Sequence, residues 1–313
     1  MVISSLYFVL LISQCYSYSS HGVWQNTTPA HCKMFSYCPR QSNMVWKSPA
    51  FERAFDSHSF CELVQEKQFR SIIFVGNSQL RHVALGLSLI ASGDFLYGGL
   101  RVRNRKCSGD MQFSEKKCGP SAFSTTVMKF CEDEVTVKHY WPGNFYKAVF
   151  RKIISPRTDT LIIWSEGADY IRPADKYGKY DPLAYQQILV DGMGGGLLAL
   201  CGEGHTTYRR RNVVWMSSHH QPGNSALTQP DESPDRIEVY NNEMRQFFLS
   251  GQCGSVTYVD VWNMTYQLAM EHTDLLQYNS FDMYHYTLPV NVLKAQLLLN
   301  HIFLNHIHAD TVN

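Results

Sequence analysis

The feature that most constrains this chain is a recurring pair of patterns. A short unbroken run of apolar, often β-branched residues ends in turn formers, and a stretch with apolar residues at helical spacing follows. Ser71-Ile72-Ile73-Phe74-Val75 leads into Gly76-Asn77-Ser78 and then into helical spacing over residues 80–90. Thr160-Leu161-Ile162-Ile163-Trp164 ends in Ser165-Glu166-Gly167, and Asn212-Val213-Val214-Trp215-Met216 ends in Ser217-Ser218-His219-His220. Residues 256–261 read as a fourth strand. Helical patterns cover 183–200, interrupted at Gly194-Gly195-Gly196, then 237–249 and 290–306. Strands that are apolar throughout, rather than alternating, are buried on both faces. Their alternation with helices predicts an α/β fold around a parallel sheet. Ligands of such sheets gather at the carboxyl ends of the strands, which directs attention to the residues just after each run.

Residues 21–70 lack this rhythm and carry Cys32, Cys38 and Cys61. They read as a cysteine-rich N-terminal cap on a main domain spanning 71–313, with 107–131 a disulfide-pinned loop insertion. Residues 1–20, apolar over 6–12 and free of basic side chains, have the pattern of a secretory signal peptide or an uncleaved anchor. The apolar run is shorter than the ~20 residues that a membrane span takes. Nine cysteines less Cys15 leave eight, namely Cys32, Cys38, Cys61, Cys107, Cys118, Cys131, Cys201 and Cys253. An even set without a CxxC pair predicts up to four disulfides in an oxidising compartment, the Golgi lumen or outside the cell, with the pairing open. Sequons at Asn26 and Asn263 agree with that compartment. A hydrophobic content of 44% excludes disorder, and a net charge of +1 lacks the electrostatic footprint of a nucleic-acid binder.

Two segments can carry chemistry together. Ser78 follows the first strand and opens a helix, so its hydroxyl lies at the carboxyl edge of the sheet beside the positive end of a helix dipole. Acyl transfer through a serine needs that placement, although a serine at such a junction is also an ordinary N-cap. Asp282-Met283-Tyr284-His285 precedes the last helix. A carboxylate three residues before a histidine can hold one ring nitrogen and leave the other to take a serine proton.

These segments resemble a known family. Phe74-Val75-Gly76-Asn77-Ser78-Gln79-Leu80-Arg81 is similar to the FVGDSxxR block of the PC-esterase and trichome-birefringence-like proteins, a branch of the SGNH/GDSL hydrolases. Asp282-Met283-Tyr284-His285-Tyr286-Thr287-Leu288-Pro289 resembles their closing DxxHWxLP block. Looser likenesses lie between, in residues 135–142, in residues 159–167 and around Trp46 and Cys61. The resemblance implies an SGNH-like three-layer α/β/α sandwich with a parallel central sheet and a cysteine-rich N-terminal cap. It implies Ser78 as nucleophile, His285 as general base and Asp282 as its orienter, with Asn77, Ser165 and Gly167 supporting an oxyanion. The reaction implied moves an acyl group, usually acetyl, between a small donor and a glycan hydroxyl, with no metal and no organic cofactor. Two positions depart from the pattern. Asn77 replaces an aspartate, and Ser165 stands where an oxyanion-hole asparagine is expected.

Other residues have weaker claims. Arg81, three residues after Ser78, either faces the cleft toward an anionic group or lies on the helix surface. His219 and His220 either line the cleft or touch substrate, or form a packed or solvent-facing pair. His301, His306 and His308 read as surface histidines before a metal patch. Gly192 to Gly196 follow no strand and fail the context of a phosphate cradle. Two functions remain on the sequence: a serine acyltransferase or esterase, and an inactive member of the same fold that binds glycan or a partner through the cleft.

Overall fold

The apolar runs form one sheet. The computed structural model describes residues 23–26, 44–47, 53–101, 103–118, 127–140, 159–165, 212–221, 234–249, 256–271 and 285–304. The leader over 1–20, the helical pattern over 183–200 and Cys32, Cys38, Cys201 and Cys253 lie outside the described residues. A two-stranded antiparallel pair, β1 (Val23–Asn26) with β2 (Met44–Lys47), stands apart from a six-stranded sheet. The sheet holds β3 (Ser71–Gly76), β4 (Met128–Phe130), β5 (Val135–Tyr140), β6 (Thr160–Ser165), β7 (Val213–Met216) and β8 (Val256–Val259) in the order β4-β5-β3-β6-β7-β8. The pairs β3–β5, β3–β6, β6–β7 and β7–β8 are parallel, as expected. The edge strand β4 is antiparallel to β5, because only residues 131–134 join them and so short a link closes a hairpin.

The chain lays β5 on one side of β3 and β6 on the other, so the direction of winding reverses at β3. In doubly wound sheets the crevice lies at the carboxyl ends of the strands flanking that reversal. Here those ends are Gly76 of β3 and Ser165 of β6, which face each other in register. A Cβ on Gly76 would collide with the Ser165 carbonyl oxygen, so glycine is what allows the two strand ends to approach.

The central strands β3, β6 and β7 are buried on both faces. Phe74, Ile163, Val214 and Val259 join one core with apolar side chains of α1 (Ser57–Glu66), α2 (Ser78–Ser92) and α5 (Leu288–Leu304). The alternate residue Trp215 meets Phe248 of α3 (Pro234–Leu249), ring centroids 5.3 Å apart. Helix α1 was hidden within the region read as an irregular cap. It starts at Asp56, whose side chain accepts from the Ser59 N–H at 2.8 Å while the Ser59 hydroxyl accepts from the Asp56 N–H at 2.9 Å. It buries Phe60, Leu63 and Val64. Helix α4 (Trp262–Glu271) begins where the Asp260 carboxylate accepts from the Trp262 N–H at 2.9 Å. Asn263 of the second sequon donates its amide nitrogen to Asp260 at 2.9 Å, so the atom a glycan would occupy is already engaged.

Among the described residues two disulfides are present, Cys61–Cys131 and Cys107–Cys118. The second closes the 107–118 stretch on itself, and the first ties α1 to the β4–β5 turn. Polar residues of α5 tie in the extended segment before α1. Gln296 accepts from the Phe55 N–H at 2.8 Å and donates to the Phe55 carbonyl at 2.6 Å. Asn300 does the same for Arg53, at 3.1 and 2.8 Å. Among the described residues no helix is long and apolar enough to cross a membrane.

Helices α2 and α5 touch at Gly86, where a Cβ would come within 2.5 Å of the Asn291 carbonyl oxygen. Gly86→Ala therefore reverses the usual sign of a Gly-to-Ala change in a helix. It should destabilise by about 1–3 kcal/mol through overpacking, where propensity alone would stabilise by ~1 kcal/mol, as urea denaturation would measure. In the β4–β5 turn Cys131, Glu132 and Asp133 take φ of 54°, 57° and 69°. A side chain there is strained, so Glu132→Gly should raise the thermal midpoint, relieving roughly 1 kcal/mol.

Candidate active site at the strand reversal

Ser78 is the first residue of α2, directly beyond the carboxyl end of β3. The cap of this helix is Asn77, not Ser78. The Asn77 side-chain oxygen accepts from the Gln79 N–H at 3.0 Å, leaving the half-buried Ser78 hydroxyl free of capping. That hydroxyl lies 2.6 Å from His285 Nε2. With a neutral ring the serine O–H donates and Nε2 accepts, which places the imidazole proton on Nδ1. The two residues are 207 positions apart in sequence, and this hydrogen bond joins the start of α2 to the approach to α5.

The segment carrying His285 is fixed from several sides. Asn291 donates to the carbonyls of Tyr286 and Thr287 at 2.6 and 3.1 Å, and the buried Tyr286 hydroxyl donates to the Thr265 carbonyl at 3.2 Å. Asp110 accepts from the Leu288 N–H at 3.2 Å. Asp282, Glu166 and Gly167 lie outside the described residues. Ser165 is buried at the end of β6, opposite Gly76.

Four of the remaining sequence candidates, Arg81, His219, His220 and His301, are buried. Arg81 is inside rather than on the helix surface, and desolvation lowers its pKa to about 10, which still leaves a cation at neutral pH. His219 Nδ1 accepts from the Lys294 amine at 2.6 Å, and its ring meets Tyr286 edge-on at 5.0 Å. His220 donates from Nδ1 to the Gln221 carbonyl at 2.8 Å and sits against Trp262 and Tyr266. His301, expected on the surface, is also buried, while His306 and His308 lie outside the described residues. Among the described residues no cluster of three His, Cys, Asp or Glu is placed to hold a metal ion.

Two histidines that the sequence reading passed over belong to the surroundings of the pair. His82 is one helical turn after Ser78, fully buried, with its ring 4.6 Å from that of His285 and edge-on to Phe113. Spacing of i and i+4 from the serine is the signal that places it on the same face. His139 of β5 donates from Nε2 to the Gly76 carbonyl at 2.9 Å and so braces the strand end beneath Ser78. In sequence it is one polar residue in an alternating strand, and nothing in that pattern marks it.

Burial holds these rings uncharged. Desolvation pushes His139 down to about 3 and His301 to about 3, and it moves His82 well below the usual histidine range. In the unfolded chain the same side chains protonate near the ordinary value of about 6.5. Below that pH the unfolded state binds more protons than the folded one. Stability therefore falls as pH drops from about 6.5 toward 3, by on the order of 1.4 kcal/mol per pH unit for each such ring. The urea midpoint should drop steeply between about pH 6.5 and 4.5, whereas a constant midpoint there would mean that the rings are solvated. No family model, no curated protein and no solved structure matches this chain.

Proposed function

We propose that this chain is a serine-dependent acyltransferase or esterase that moves an acyl group, acetyl in the first instance, on or off glycan hydroxyls. The observation that carries this reading is the 2.6 Å contact between Ser78 Oγ and His285 Nε2 at the strand reversal. A hydroxyl bonded to a basic ring nitrogen, half-exposed at a helix N-terminus, is an activated nucleophile by its surroundings. In the reaction, Ser78 Oγ bonds to the acyl carbon while its proton passes to His285 Nε2. The imidazolium then gives that proton to the departing group, and water or a sugar hydroxyl reverses the sequence to release the acyl.

The likeness of residues 74–81 and 282–289 to the PC-esterase and trichome-birefringence-like blocks supplies the substrate class, the role of Asp282 and the SGNH-like three-layer architecture. A mostly parallel six-stranded sheet whose central strands are buried on both faces supports that architecture. The two disulfides support an oxidising compartment of the secretory pathway. A second reading, an inactive glycan- or partner-binding protein, is favoured by Ser165. A serine arm is shorter than the asparagine the resemblance expects, and loss of an oxyanion donor costs about 10²–10³ in rate.

Labelling of the folded, disulfide-bonded protein with a fluorophosphonate probe separates the two readings. The enzyme reading expects modification at Ser78, abolished by Ser78→Ala and slowed ~10²-fold or more by His285→Ala. Absence of labelling in the folded protein would favour the binding reading, and labelling at another serine would overturn the assignment of the nucleophile.

A further inference from the structure

We propose that a single internal water is bound beneath α2, between the carboxyl ends of β6 and β7, held by the side-chain amide of Gln79 and the amine of Lys294. A small cavity there is lined by Gln79, Ser165, Ser217, His219 and Lys294 against apolar walls that include Leu80 and Val261. It gives the centre of a water-sized sphere about 10 Å³. Any room for the centre of such a sphere admits a water molecule.

The polar lining points to a ligand that both donates and accepts. Gln79 is buried, and its Oε1 and Nε2 have no hydrogen-bond partner among the described residues. A carboxamide with an unfilled donor and an unfilled acceptor is costly in a core, where the great majority of polar groups are paired. Two polar neighbours in the lining, Ser217 and His219, are engaged elsewhere. The Ser217 hydroxyl oxygen accepts from the N–H groups of Val261 and Trp262 at 2.8 and 3.2 Å and donates to Asp260 at 3.3 Å. His219 Nδ1 is taken by Lys294 at 2.6 Å. Lys294 itself has capacity left, because its next polar contact, the Asn291 side-chain oxygen, is at a stretched 3.5 Å. A water in this space accepts from the Lys294 amine and donates to Gln79 Oε1, which gives it two of the polar partners that buried waters require. Such a bridge joins the residue after Ser78 to α5, independently of what Ser78 does chemically.

A crystal structure of the intact protein at a resolution that shows ordered solvent tests this directly. The expected result is a solvent peak at about 2.7–3.2 Å from both the Gln79 amide and Lys294 Nζ. An empty cavity, or a Gln79 amide turned to bond a protein group, would overturn the proposal. A solution test uses oxygen-17 relaxation dispersion to count long-lived internal waters in the wild type and in Gln79→Leu. The variant should lose one such water and its thermal midpoint should fall by about 2–4 °C. If the cavity is dry, removing two unpaired polar atoms raises the midpoint and leaves the count unchanged.

Discussion

Where Gly86 faces the Asn291 carbonyl, α2 and α5 meet with no side chain between their backbones, and the candidate site hangs from that contact. Ser78 lies eight residues up one helix and His285 six residues before the contact on the other. A rise of about 1.5 Å per residue makes α2 a rigid arm of roughly 12 Å from contact to serine. Any change in the separation of these helices therefore moves the hydroxyl relative to the ring. Asn291 is involved twice, since its carbonyl faces Gly86 and its side-chain amide holds the two carbonyls after His285. The element that sets helix spacing thus also sets the position of the base.

The other anchor is the pairing of Gly76 with Ser165 at the reversal of the sheet. These strand ends were legible in the sequence because parallel strands buried on both faces need unbroken apolar runs, and Ser71–Gly76 and Thr160–Ser165 supply them. The placement of Ser78 followed from the same logic. Helix α1 and the edge strand β4 were harder to see, and β5 was legible only through the likeness of residues 135–142 to an aromatic strand of the family. Helix α1 buries a narrow stripe next to a disulfide, and β5 alternates as an ordinary half-exposed strand would. Nor did sequence reveal that Arg81, His219, His220 and His301 are inside, because burial of a polar residue depends on partners distant in the chain. Gln296 and Asn300 illustrate the point. On an apolar helix they look like interruptions, yet each takes both backbone groups of a residue more than 240 positions away.

Buried basic groups surround the pair: His82 against His285, His219 against Lys294, and Arg81 one turn into α2. Burial keeps His82 neutral and pushes Lys294 well below the usual lysine range, so the region is less positive than its composition suggests. A neutral His82 matters to the chemistry proposed for its neighbour. When His285 takes a proton it becomes an imidazolium with another ring 4.6 Å away. A second charge on that ring would oppose the transfer, and desolvation of His82 removes it.

The same electrostatics bear on Asn77, which stands where the block that residues 74–81 resemble has an aspartate. Asn77 performs the cap without a negative charge beside the serine, so the positive end of α2, about half an elementary charge, is not cancelled there. Arg81 keeps its charge at neutral pH within the first turn of that helix. An aspartate at position 77 would cap equally well, but it would set an anion next to the oxygen that must acquire charge. For the reaction proposed above, a neutral cap and a cation in the first turn both act in the sense that an oxyanion requires. Asn77 serves as the cap because capping needs only an acceptor oxygen, and being neutral it leaves the field at Ser78 positive.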